Sequence, residues 1–277
     1  MHKNRSTFLI TCLCFGFAFL YIPIFLLILY SFNDSKLLPV WGGFSTRWYV
    51  TLFNSEDVWN ATLLSLRIAL INATFATLLG TMAGLALARF TRFRGRTLFT
   101  GMISAPLVMP EVITGLSLLL LFITLQQIIG WPGSRGMTTI TIAHITFSMA
   151  YVAIIIQSRL INDDLSLEEA ALDLGAKPFR VLIDITLPLL APGMTAGWLL
   201  AFTLSLDDLV IASFVSGPGS TTLPMLIYSR VRLGLKPDIN ALATILIVTV
   251  ALGVLLAGWI MLRQHQQKLK AEQLASQ

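Results

Sequence analysis

Long apolar runs separated by short polar segments dominate the chain. Six such runs predict membrane-spanning helices, at residues 7–30, 61–88, 98–125, 137–157, 189–215 and 241–262. Each is long enough to approach or exceed the roughly 20 residues that a helix needs to cross a bilayer. Pro106 and Pro110 interrupt the third run, so a kink is predicted there. The pattern therefore predicts an all-α integral membrane protein.

Composition agrees with an embedded chain. Of 277 residues, 56% are hydrophobic and 12% are charged, with a mean hydropathy of +0.79. A soluble domain usually carries about 25% charged residues. The net charge of +5 does not indicate nucleic-acid binding, because no stretch interleaves basic and aromatic residues on a soluble face. Cys12 and Cys14 lie inside the first run and are interpreted as thiols in lipid, without a disulfide or metal framework.

The distribution of Lys and Arg predicts orientation. With the N-terminus inside, the inner segments carry about twice as many basic residues as the outer ones, which places both termini in the cytoplasm. The first run is much longer than a signal-peptide core, so a retained helix is expected. The predicted organisation is an N-terminal transmembrane helix with an outer loop (1–60), a core that holds the other five spans (61–262), and a cytoplasmic tail (263–277).

The polar segment 159–188 has a helix–turn–helix pattern. Ser166 and Glu169 form a capping-box arrangement at the start of a short helix. Gly175 then supplies a left-handed stop, and Pro178 starts a second short helix that is predicted to end at Pro188. One face of the first helix is apolar and consists of Leu167, Ala170, Ala171 and Leu174. Such a helix could enter a groove on a soluble partner or lie on lipid head groups.

This segment resembles a known motif. Glu169-Ala170-Ala171, followed by Gly175, Ile185 and Leu187-Pro188, is similar to the EAA loop of type I binding-protein-dependent ABC importer permeases. The resemblance implies the MetI-like permease fold, with six transmembrane helices and a cytoplasmic coupling helix. It also implies contact with an ATPase subunit through five residues: Glu168, Glu169, Ala170, Ala171 and Gly175.

Other segments resemble one branch of that family. Residues 105–115, 205–218, 223–225 and 240–244 look like the putrescine and spermidine permeases, putrescine permeases above all. The implied partners are a second, different permease subunit (a heterodimer), an ATPase subunit dimer and a periplasmic polyamine-binding protein, in a bacterial inner membrane. The chain would be no enzyme. It contains no G-x-x-x-x-G-K-[ST] phosphate loop, so ATP would be bound by another chain.

Three carboxylates fall within the predicted spans, namely Glu111, Asp207 and Asp208. An ionised side chain at mid-bilayer costs about 2.5–3.5 kcal/mol on insertion scales, so such groups usually face a cavity or a partner. A polyamine needs carboxylates for its ammonium groups and apolar or aromatic walls for its methylenes, and Trp198 lies nearby in sequence. These four residues are the predicted substrate path, with no cofactor and no metal.

Structural alternatives exist for each of these residues. Glu111 follows Pro110 and could simply stabilise the start of a helix through the dipole. Asp207 and Asp208 could pair with an Arg of the other permease or cap a turn, and Trp198 could be a packing residue. Adjacent side chains point in different directions, so at most one of the two aspartates is expected to face a ligand. Asp207 or Asp208 is favoured over Glu111.

Two further functions fit the same sequence. One is the same permease architecture with another substrate, such as a different cation or an amino acid. The other is an ion-coupled carrier that works alone, although the six spans contain no matching inverted half.

Overall fold

The chain is helical, as a computed structural model of it shows for residues 2–35, 40–90, 92–162, 166–233 and 237–275. In these ranges, Asn33 and Phe44 form an isolated antiparallel β-bridge. In chain order, the helices are α1 (His2–Tyr30), α2 (Arg47–Phe53), α3 (Glu56–Arg89), α4 (Arg96–Val108), α5 (Glu111–Ile129), α6 (Met137–Asn162), α7 (Ser166–Asp173), α8 (Pro178–Val181), a π-helical turn (Leu182–Thr186), α9 (Leu187–Asp207), α10 (Val210–Val215), α11 (Leu223–Leu233) and α12 (Pro237–Ala275).

Five helical segments in the described part of the chain are long and apolar enough to cross a membrane. They are Phe8–Tyr30, Glu56–Arg89, Glu111–Ile129, Met137–Ile161 and Pro178–Asp207, and Pro237–Gly253 is a shorter apolar stretch at the start of α12. The prediction of an all-α integral membrane protein is confirmed. The sixth predicted span corresponds to α12, which continues beyond its apolar part to Ala275.

The third predicted span, 98–125, is wrong as a single helix. The chain leaves the helix at Met109, whose φ and ψ are −76° and 137°, and re-enters it at Glu111. Pro110 explains the break, since its ring disfavours the helical conformation of the residue before it. The expected kink is therefore a full interruption between α4 and α5.

The fifth predicted span, 189–215, differs at both ends. At one end, α9 stops at Asp207, and Asp208 is extended with φ −65° and ψ 123° before α10 begins. At the other end, Pro188 does not terminate the second loop helix as predicted, because the helical path runs without interruption from Pro178 to Asp207. The π-helical turn just before Pro188 provides the local change in the hydrogen-bond ladder at which a helix tolerates proline.

Residues 57–228 form one compact unit, built around α3, α6 and α9. Small residues let α3 approach α6 closely, since a Cβ added at Gly80 would lie 2.6 Å from Val152 Cβ. Asn72 of α3 ties the three helices together. Its Nδ2 donates to Ser148 Oγ at 3.1 Å and to the Ala201 carbonyl at 2.8 Å.

Residues 1–56 and 229–277 form the second unit, which contains α1, α2 and α12. The loop between α1 and α2 is organised around Asn33. Its Oδ1 accepts a hydrogen bond from the Gly42 amide at 2.7 Å, and its backbone carbonyl accepts one from Trp48 Nε1 at 2.7 Å. This loop is the segment that the positive-inside pattern predicts to lie on the outer side of the membrane.

Candidate functional site

The loop helix α7 forms where the sequence predicts it. It begins at Ser166, and Gly175 after it adopts a φ of +84°. The Gly175 amide donates to the Leu172 carbonyl at 2.9 Å and the Ala176 amide to the Ala171 carbonyl at 3.0 Å. These two bonds are the Schellman motif, which ends helices with a glycine. Pro178 then occupies the first position of α8, where its missing amide hydrogen leaves no bond unmade.

One face of α7 is left uncovered by the chain. No residue of α7 is buried, and the side chains of Leu167 and Leu174 are 56% and 90% exposed. Phe179, just beyond the turn, is 72% exposed. Leu174, Lys177 and Phe179 also line a shallow concavity next to the glycine turn. An apolar surface of this kind, rimmed by polar residues, is typical of a contact with another protein.

The five predicted contact residues are not equivalent in the structure. Glu169, Ala170 and Gly175 are exposed, and Ala171 is partly covered. Glu168 turns back into its own chain: its Oε1 lies 2.6 Å from Arg89 Nη2 and accepts the Thr186 hydroxyl at 3.0 Å. Arg89 and Thr186 are not among the predicted site residues, because nothing in the linear pattern links either residue to the loop.

Gly175→Ala is expected to loosen the end of α7. An L-residue in the left-handed conformation costs about 1–2 kcal/mol, so the Schellman bonds should open roughly tenfold more often. Hydrogen exchange of the peptide that covers residues 166–178 measures this opening. The matched control is Gly133→Ala, because Gly133 has an ordinary φ and open space around its Cα. Equal exchange in the two variants would contradict the expectation.

Asp208 is engaged within the fold. Its Oδ2 accepts the Ala212 amide at 2.7 Å and its Oδ1 the Ile211 amide at 3.3 Å, so the side chain caps α10. His144 Nε2 lies 3.0 Å from the same carboxylate, and His144 Nδ1 lies 2.7 Å from Ser205 Oγ. The side chains of His144 and Asp208 are 3% and 10% exposed. Asp208 thus holds the break between α9 and α10 against α6.

The remaining predicted path residues lie at separate positions. Asp207 is the last residue of α9, and its side chain is exposed. Glu111 is exposed at the first position of α5, where its charge also suits the positive end of the helix. Trp198 stacks on Phe202 with ring centroids 5.5 Å apart and donates from Nε1 to Thr74 Oγ1 at 3.3 Å. The structure brings Asp208 to His144 and leaves the Asp207 side chain exposed.

Packing accounts for the aromatic face of α6. Phe147 is buried, and its ring meets the Tyr151 ring edge-on with centroids 5.3 Å apart. In the described ranges of the chain, no three His, Cys, Asp or Glu side chains come together in a way that could hold a metal ion.

Membrane-length helices and a loop helix with an open apolar face define a polytopic membrane protein of the permease class. The chain belongs to the family of inner membrane components of binding-protein-dependent transport systems, which its residues 76–269 match. It is 56% identical over 271 residues to the putrescine transport system permease protein PotI of Escherichia coli K12, covering 98% of this chain and 96% of that protein.

Further relatives agree with this family. The spermidine/putrescine transport system permease protein PotC of Escherichia coli K12 is 44% identical over 232 residues, covering 84% of this chain and 85% of that protein. Among solved structures, a bacterial ABC transporter for the acidic polysaccharide alginate matches with a TM-score of 0.71 at 16% identity, covering 93% of this chain and 97% of that chain. At that identity the likeness establishes the fold, which is the fold of an ABC importer permease.

Proposed function

We propose that the chain is a permease subunit of an ATP-driven importer that carries polyamines, putrescine in particular, across the bacterial inner membrane. The observation that supports this most strongly is the 56% identity to a putrescine permease over nearly the full length of both chains. The chain itself performs no bond chemistry. Its part is to bind the substrate weakly, expose it to each side in turn and exclude other solutes.

The assembly has four kinds of partner surface. A second, different permease completes the translocation path, and an ATPase subunit dimer docks on the exposed face of α7. A periplasmic polyamine-binding protein delivers substrate to the outer loops, and lipid surrounds the apolar helices. Both termini lie in the cytoplasm, and the core 61–262 carries transport, flanked by the N-terminal segment 1–60 and the tail 263–277.

Asp207 is the substrate-facing carboxylate in this proposal. Asp208 is occupied by His144 and by the α10 amides, whereas the Asp207 side chain is exposed. Asp207 also ends α9, where the last carbonyl groups of a helix carry partial negative charge. A helix that is interrupted inside a membrane protein often binds cations at such an end. An ammonium group therefore finds a carboxylate and a helix C-terminus at the same point.

Glu111 and Trp198 play secondary parts. Glu111 also lies next to a helix break, between α4 and α5, and offers a second exposed carboxylate for a substrate with two ammonium groups. Trp198, stacked on Phe202, provides an aromatic wall for the methylene chain. Two charged ends and an apolar middle are the features that distinguish a polyamine from an inorganic cation.

The test is uptake into proteoliposomes that contain this chain with its partner permease, ATPase subunits and binding protein. ATP-dependent uptake of labelled putrescine is expected from the natural sequence. Asp207→Asn should lower uptake at limiting substrate about tenfold or more, because a hydrogen bond to a charged group is worth about 1.5–3 kcal/mol. Asp57→Asn, an exposed carboxylate at the start of α3, is the matched control and should leave uptake unchanged.

Different failures point to different errors. Normal uptake by Asp207→Asn would contradict the site assignment and leave the importer intact. If another cation or an amino acid is taken up better than putrescine, the result would favour the same architecture with another substrate. Transport by this chain alone, driven by a proton or sodium gradient without ATP, would establish an ion-coupled carrier instead.

A further inference from the structure

The first turn of α7 is joined to two membrane helices by one side-chain cluster. Glu168 Oε1 lies 2.6 Å from Arg89 Nη2 and accepts the Thr186 hydroxyl at 3.0 Å. Arg89 is the last residue of α3, and Thr186 is the last residue of the π-helical turn that leads into α9. The two partners of the ion pair are 79 positions apart in the sequence. We call Arg89, Glu168 and Thr186 the clamp.

The clamp is built for strength at a partly covered position. The side chains of Arg89 and Glu168 are 23% and 16% exposed, and Thr186 is buried. Ion pairs screened from water in this way interact more strongly than pairs on an open surface. Each charge also suits the helix that carries it, because Glu168 sits in the positive first turn of α7 and Arg89 in the negative last turn of α3.

Apolar packing of α7 against its own chain is limited, because no residue of α7 is buried. The π-helical turn at Leu182–Thr186 lies next to the clamp, and turns of this kind are frequent at functional sites. The Thr186 hydroxyl connects this turn directly to the carboxylate of Glu168.

We propose that the clamp is the positioning device that makes α7 move as one body with α3 and α9, so that a push on α7 reaches both membrane helices. This inference rests on the proposed function, in which an ATPase supplies the push. Glu168 then acts inside this chain, through Arg89 and Thr186, whereas Glu169, one position further and exposed, is available to the partner. Without the clamp, α7 would stay attached to the ATPase but would move independently of α3 and α9.

The decisive readout is the amount of putrescine transported per ATP hydrolysed in the reconstituted complex. Glu168→Gln and Arg89→Gln are each expected to lower this ratio about fivefold or more, because each change breaks the ion pair that joins α7 to α3. Thr186→Val should lower the ratio less, about twofold. The double variant Arg89→Glu with Glu168→Arg should recover most of the ratio, because it rebuilds the ion pair in reverse.

Matched controls separate the clamp from a general effect of charge. Arg92→Gln removes the same charge three positions beyond the end of α3, at an exposed position, and should couple normally. A spin label at position 174, in a background without Cys12 and Cys14, should become more mobile in Glu168→Gln and Arg89→Gln and remain unchanged in Arg92→Gln. This second measurement needs no ATP and no substrate.

Several outcomes would overturn the proposal. Unchanged coupling in both Glu168→Gln and Arg89→Gln contradicts it, and so does loss of coupling in Glu168→Gln alone, which would place Glu168 in direct contact with the ATPase. If the charge-neutralising variants do not assemble, Thr186→Val is measured instead, because it removes the hydroxyl that Glu168 accepts, and full coupling in this variant has the same meaning. Absence of ATP-driven uptake by the natural sequence contradicts the proposed function, and the spin-label comparison still decides the clamp.

Discussion

Asp208→Ala is expected to destabilise the chain by about 2–4 kcal/mol. The variant removes a helix cap, which is worth about 1 kcal/mol, and leaves a buried His144 nitrogen without its partner, which costs about 1–3 kcal/mol. Both losses fall at the junction of α9 and α10, which α6 supports through the same histidine. Thermal unfolding of the detergent-purified complex and the yield of assembled complex measure the effect.

Neighbouring variants show whether this destabilisation is specific. Asp207→Ala removes the adjacent, exposed carboxylate and should change stability by no more than about 0.5 kcal/mol, while uptake falls. Ser205→Ala removes the other partner of His144 and should cost about 1 kcal/mol. A stable but inactive Asp208→Ala complex would show that Asp208 acts on the substrate and that its role in the fold is minor.

Gly84→Val is the second change with a large expected effect, about 3 kcal/mol or more. A Cβ at this position would lie 2.7 Å from the Ala153 carbonyl oxygen and 2.9 Å from Ile156 Cβ. The first neighbour is backbone, so the clash can be relieved only by moving α3 away from α6, and overpacking a close-packed interface costs about 1–3 kcal/mol and occasionally more. Folded protein per cell and thermal unfolding after purification report the loss.

Gly101→Ala is the matched control for that substitution. Gly101 lies inside α4 with nothing within 4 Å of an added Cβ. Alanine at an unobstructed position inside a helix is worth about 0.5–1 kcal/mol relative to glycine, so this variant should be as stable as the natural sequence or slightly more stable. If Gly84→Val matches Gly101→Ala in stability, the close packing of α3 on α6 is not a determinant of the fold.

Asp207 and Asp208 both lie at the helix break between α9 and α10. Asp208 stabilises the break from inside the fold, and the break leaves Asp207 at a free helix end. The two aspartates have different surroundings because the side chains of adjacent residues point in different directions at the end of a helix. The predicted substrate path stays a prediction, in which the exposed Asp207 is the aspartate that we propose for the substrate.

The sequence alone determined the features that depend on local chemistry. Apolar runs of membrane length specify spanning helices because a helix satisfies its backbone hydrogen bonds within one segment, as lipid requires, and the helical class is confirmed. Gly175 and Pro178 likewise define the end of α7 and the start of α8, since each residue has a backbone conformation of its own. These are preferences of single residues or short windows, so a linear pattern reveals them.

Only the tertiary structure decided which polar groups meet. Asp207 and Asp208 are chemically identical neighbours, and their surroundings differ because His144, 64 positions before Asp208, reaches one carboxylate. The partnership of Glu168 with Arg89 has the same origin, since it depends on how α3 and α7 approach each other. The sequence also did not predict that the helix continues through Pro188, because a π-helical turn leaves no periodic signature. Contacts between distant residues follow from the packing of helices, which the order of residues along the chain does not display.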